Sequence, residues 1–129
     1  MSVSKQTKVF FSIAAFMMAL AISIGAFGAH GLKPYLDAYG LEIYTKATSY
    51  QFYNTLGLFA IAVISFIFPN AKKIKLSYIL VFIGMIIFSF SLYTLALTKI
   101  MWLGAITPIG GSLMIVGWLL LSYNIYKEI

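Results

Sequence analysis

The stretch VFFSIAAFMMALAISIGAFGA, residues 9–29, points to a membrane-embedded helix. It carries no charged side chain over a length that, as a helix, crosses a hydrocarbon core needing roughly 20 apolar residues. Lys5 and Lys8 precede it, and His30, Gly31, Lys33 and Pro34 follow. The run is longer than the core of a cleavable signal peptide, typically about 7–15 residues, so it reads as a retained span. Its end, GAFGAHG at residues 25–31, gathers three glycines and the single histidine of the chain. His30 therefore marks either a site or the point where a helix leaves the membrane.

The rest of the chain repeats the pattern. Of 129 residues, 62% are hydrophobic and 9% are charged, against about a quarter charged in soluble domains. The mean hydropathy is +0.98. Three further apolar runs qualify, giving spans at about 9–29, 50–68, 76–97 and 103–123. The expected fold is an all-α integral membrane protein, a four-transmembrane-helix bundle forming one domain over residues 1–129.

Charge orients it. The net charge of +6 comes from nine lysines placed between the runs, which suits topology signals rather than a nucleic-acid surface. Four spans put both termini on one side, with Lys5, Lys8, Lys72, Lys73, Lys75 and Lys127. Lys33, Lys46 and Lys99 lie on the other. The positive-inside rule then places both termini in the cytoplasm of a cell membrane.

The connection at residues 30–49 holds more than a turn. Pro34 suits a first helical turn and Gly40 a helix stop. Leu32, Tyr35, Leu36 and Tyr39 share a helical spacing, so a short amphipathic helix is expected on the outer surface. A new helix starting near Leu41 is expected to run into the second span. ITPIGG, residues 106–111, reads as the start of the fourth helix.

Helices in lipid meet through small residues. Ala21, Gly25 and Ala29 form such a stripe on the first span, with Gly57 on the second. Ser77 and Gly84 belong to the third span, and Gly110, Gly111 and Gly117 to the fourth. Tyr35, Tyr39, Tyr44, Tyr50 and Trp102 fall at the outer boundary, and Tyr78, Tyr123 and Tyr126 at the inner one, as an aromatic belt.

The remaining polar residues collect by depth toward the outer face: His30, Gln51, Tyr53, Asn54, Ser89, Ser91, Tyr93 and Thr107. Gln51 and Asn54 share a helix face within reach of Ser91 or Tyr93. Polar groups in hydrocarbon need partners. The cluster is therefore either a network locking the bundle or the rim of an outward-facing pocket.

GAFGAHGL, YQFYNTLGL, FSFSLYTLALT and ITPIGGSLMIVGW follow one another across nearly the whole chain. In this order they resemble the small bacterial membrane proteins catalogued as domain-of-unknown-function family 423, whose eukaryotic relatives are called transmembrane protein 256. The resemblance implies a four-helix membrane protein of undefined activity. It also implies a histidine where this chain has Asn54 and a glycine where it has Phe90, so no paired-histidine site with His30 is available.

The chain has no cysteine, and its acidic residues, Asp37, Glu42 and Glu128, lie outside the spans. With a single histidine besides, no activated nucleophile, acid–base pair or metal set is expected, and hence no catalysis, metal or cofactor. A coupled transporter keeps a titratable charge inside the membrane, and none is present. Two readings remain. One is a non-catalytic protein supporting membrane or envelope integrity, or a larger membrane complex, through lipids, partner helices or further copies of itself. The other is a lipid or small-molecule binding or passive permeation protein built on the outward polar pocket.

Overall fold

The computed structural model describes residues 2–129. Four helices are long and apolar enough to cross a membrane: α1 (Lys5–Phe27), α2 (Ala38–Ile67), α3 (Ile74–Thr98) and α4 (Thr107–Glu128). The described residues contain no strand.

Each boundary has a local cause. Ser4 caps α1 by accepting from the Thr7 amide at 3.1 Å. Pro69 drives Phe68 out of helical geometry (φ −122°, ψ 71°), which ends α2. Lys99 closes α3 in the left-handed region at φ 60°. Pro108 sits in the first turn of α4, where its missing N–H costs nothing.

The expected surface helix between α1 and α2 is not there. After α1 the chain makes one π turn (Gly28–Leu32) and one 3₁₀ turn (Lys33–Tyr35). Leu36 and Asp37 are then extended. The Asp37 carboxylate accepts from the Gly40 amide at 2.6 Å and starts α2 at Ala38. An N-cap at Asp37 thus wins over helix continuation from Pro34. Gly40 lies inside the first turn of α2 instead of ending a helix. At 30 residues, α2 is about 45 Å long and outreaches the hydrocarbon core.

Successive helices are antiparallel neighbours. At the near end, which carries the termini, Thr7 Oγ1 lies 2.7 Å from Ser65 Oγ, and the Tyr78 hydroxyl donates to the Phe10 carbonyl at 2.7 Å. At the far end, the Tyr44 hydroxyl donates to the Ile24 carbonyl at 2.6 Å. Lys99 and Asp37 pair there at 3.6 Å with both side chains exposed, which contributes little.

Helices α2 and α3 form the middle of the bundle. Helix α1 lies on α2 and reaches α3 through the stacked Phe10 and Tyr78 rings, 3.9 Å apart. Helix α4 lies on α3 and reaches α2 through Trp118. The main core joins Met17, Leu58, Ile61, Val81, Met85 and Met114. Phe16, Ile22 and Phe27 on α1, and Ile109, Ile115 and Leu119 on α4, point outward as the lipid-facing surface.

The tightest approach is between α3 and α4. A Cβ on Gly84 would stand 2.7 Å from both the Gly110 carbonyl oxygen and the Met114 nitrogen. One on Gly110 would collide with the Phe88 backbone nitrogen. Small residues here let the two backbones touch, the usual means of helix association in lipid.

The stripe on α1 differs from Ala21–Gly25–Ala29. Buried positions run Thr7, Phe10, Ala14, Met17, Ala21 and Gly28, a seven-residue repeat. Gly28 is seven residues from Ala21 and drifts only about 20° from it around the helix. Ala29, one residue further, is exposed. Gly28 takes its place, with the Tyr44 ring occupying the space a Cβ would need.

Candidate functional site

The far half of the bundle holds the polar residues singled out from the sequence, and most of them are paired between helices. Gln51 on α2 has no exposed surface. Its Oε1 accepts from the Tyr93 hydroxyl of α3 at 2.6 Å. The same hydroxyl lies 3.3 Å from Thr48 Oγ1, and the Tyr93 ring packs on Tyr44 with centroids 4.9 Å apart. Ser89 of α3 donates to the Ala47 carbonyl of α2 at 2.9 Å. Ser91 of α3 meets Thr107 of α4 at 2.6 Å.

Asn54 bonds elsewhere. Its Nδ2 donates to the Tyr50 carbonyl at 2.9 Å, and its Oδ1 accepts from Trp118 Nε1 at 3.0 Å. Trp118 also lies over Gly57, where it fills the space a Cβ would need. Neither Ser91 nor Tyr93 is the partner of Asn54.

Besides Asn54, whose interhelical partner is Trp118, two of the candidates stay outside this network. His30 is exposed in the π turn. Tyr53 is 67% exposed on the lipid-facing side of α2. The far-end cluster is therefore Thr48, Gln51, Ser89, Ser91, Tyr93 and Thr107, with Tyr44 beside it. Among the described residues, no three His, Asp or Glu side chains converge.

The packing residues divide as well. Ser77 is fully buried at the near end, and its Oγ has no partner among the described residues. Gly117 meets Val81 and Leu80 of α3 at close range. Gly25 faces Thr48 and Phe52. Gly111 is looser, with a Cβ position 3.7 Å from Phe88.

Some residues that tie the helices together carried no advance signal. Tyr44 and Tyr78 suit a boundary belt by position, yet both are buried and donate across helices. Thr7 and Ser65 look incidental at the ends of apolar runs, yet they pair. A single hydroxyl shows no periodicity that distinguishes an exposed from an interhelical placement.

The open space borders this network at Thr48 and Thr107. An open groove of about 530 Å³ runs between α1 and α2, lined by Gly25, Gly28, Lys33, Tyr44, Thr48 and Phe52. Another of about 480 Å³ lies on the lipid side between α2 and α4, along Tyr50, Asn54, Phe88, Met114 and Trp118. One amide, Gln51 Nε2, is buried without a partner among the described residues. A buried donor left unpaired costs about 1–3 kcal/mol.

The model of the family described as "Protein of unknown function (DUF423)" matches residues 24–111. The UPF0382 membrane protein SSP2132 of Staphylococcus saprophyticus is 48% identical, over 93% of this chain and 98% of that protein. The UPF0382 membrane protein YwdK of Bacillus subtilis is 38% identical, over 88% of this chain and 93% of that protein. No solved structure matches. The matched residues include the end of α1, all of α2 and α3 and the start of α4, so they contain the whole far-end network. With four apolar helices of spanning length and membrane-protein relatives across nearly its full length, the chain belongs to the DUF423 family as a small membrane protein.

Proposed function

We propose that the protein is a non-catalytic scaffold of the cell membrane, acting through helix and lipid contacts to support membrane integrity or a larger membrane complex. The observation that carries this reading is the use to which the far-end polar groups are put. Tyr93, Ser89, Ser91 and Thr107 each spend their hydroxyl on another helix. Such bonds lock helices in lipid and leave little chemistry for a substrate.

The residue inventory supports the same reading. The one histidine is exposed and apart from the network, and the three acidic residues lie on or beyond the helix ends. Exposed apolar faces on α1 and α4 suit lipid, a second copy or a partner helix. Six near-end lysines against one acidic residue, and three far-end lysines against two, favour a cytoplasmic near end.

The outward-pocket reading keeps one specific support, the unpaired Gln51 amide. The two are separated by purifying the protein with Gln51→Leu and His30→Ala substitutions from a gentle detergent. The scaffold reading expects both variants to keep the copy number and retained lipids of the original. Loss of a defined non-lipid ligand in Gln51→Leu overturns it.

A further inference from the structure

Lys72 and Lys73 in the α2–α3 turn and Lys75 in the first turn of α3 suit a topology signal, but their placement also builds something else. Lys72, Lys73 and Lys75 border a groove of about 450 Å³ between the start of α3 and the end of α4. Its walls are Leu76 and Ile79 from α3, and Leu120, Tyr123 and Asn124 from α4. Leu76 is 53% exposed, so the apolar floor opens sideways where the bilayer lies.

A topology signal alone needs only charge in a loop. Here the loop is anchored. Asn124 is 2% exposed, and its Nδ2 donates to the Lys73 carbonyl at 3.3 Å. This holds the lysine-bearing turn against α4. Lys127 approaches the Tyr123 ring at 6.0 Å and adds a fourth cation beside the groove. The first turn of α3 has no side-chain cap, so its free N–H groups add positive partial charge at the same place.

The other grooves lack this combination. The α1–α2 groove at the far end has Lys33 alone, and the α2–α4 groove has no charge. The groove beside Phe11 and Phe66 has only Lys8, and the one beside Leu92 sets Lys46 against Glu42. Three cations without a lining carboxylate, above an apolar floor at the membrane boundary, match a ligand with an anionic head and a hydrocarbon tail.

We propose that this groove is a binding site for an anionic phospholipid of the near-side leaflet. The phosphate sits among Lys72, Lys73 and Lys75, and the upper acyl chain lies along Leu76, Ile79 and Leu120. The proposal needs only the groove and its lysines, and stands apart from the scaffold reading above.

The test is native mass spectrometry of the detergent-purified protein titrated with phosphatidylglycerol or phosphatidylcholine. The original chain retains phosphatidylglycerol preferentially, and raising salt removes the preference. The triple change Lys72→Gln, Lys73→Gln, Lys75→Gln weakens that retention on the order of a hundredfold, at about fivefold per lysine near an anionic surface. The opposite-end triple, Lys33→Gln, Lys46→Gln, Lys99→Gln, keeps it. Leu120→Trp fills the floor while leaving every charge, and also weakens retention. Equal retention of the two lipids by the original chain overturns the proposal. So do a preference insensitive to salt, equal losses in the two lysine triples, or undiminished retention in Leu120→Trp.

Discussion

The Tyr93 hydroxyl donates to Gln51 Oε1 at 2.6 Å, joining α3 to α2 at a point where Gln51 has no exposed surface. Tyr93 packs with Tyr44, Ala47 and Leu92 in the far-end core. Tyr93→Phe strips Gln51 of its one side-chain partner and is expected to cost about 1–3 kcal/mol. Gln51→Leu removes the unpaired amide together with the acceptor, and Tyr93 still has Thr48. Its expected cost is smaller. The double variant is expected to lose less than the sum of the two, by about 1 kcal/mol. Unfolding in mixed micelles measures the cycle. Strict additivity would show that the two side chains do not act as a pair.

The α3–α4 contact provides a matched comparison. Gly84→Ala places a methyl 2.7 Å from backbone atoms of α4 and is expected to destabilise by about 1–3 kcal/mol. Gly111→Ala puts its methyl at ordinary contact distance from Phe88. It is expected to be neutral or to stabilise by up to about 1 kcal/mol through helix propensity. Thermal unfolding of both variants in one detergent decides the point, and equal effects would mean that α3 and α4 are further apart.

Tyr78 supplies a second comparison, at the near end. Tyr78→Phe keeps the stacking on Phe10 and loses only the bond to the Phe10 carbonyl. The expected loss is about 0.6 kcal/mol, the average for such bonds in membranes. Tyr78→Ala also empties a fully buried ring site and is expected to cost about 3–5 kcal/mol. Similar losses for the two, read by the same unfolding assay, would place the tyrosine in the boundary belt instead of the core.

The absence of native cysteine makes orientation easy to read. Lys5→Cys and Lys72→Cys are expected to resist a membrane-impermeant maleimide in intact cells. Lys33→Cys and Lys99→Cys are expected to react. The reverse pattern would place the termini outside and overturn the reading of the lysine asymmetry.

The spans were legible because hydropathy over some twenty residues is a long-range average that single residues do not disturb. Local competition was less visible. Pro34 and Gly40 bracket a plausible short helix, but Asp37 between them captures the Gly40 amide and begins α2 instead. The α1 stripe ends at Gly28 and not at Ala29, because each four-residue step turns about 40° around the helix where a seven-residue step turns only about 20°. Of the polar cluster, Gln51 with Tyr93 was within reach by spacing and depth. Asn54 with Trp118 was not, since indole nitrogens carry no pattern that names their acceptor. His30 stood out for rarity, and rarity says nothing about burial: the π turn leaves it exposed.

Native mass spectrometry of the protein released from gentle detergent distinguishes a structural polar network from a ligand site. A structural network is expected to give phospholipid adducts, a defined copy number or partner, and no stoichiometric non-lipid molecule, with the same spectrum for Tyr93→Phe and His30→Ala. A discrete hydrophilic ligand held one to one by the original chain, and lost from Tyr93→Phe while the variant stays folded, would contradict it.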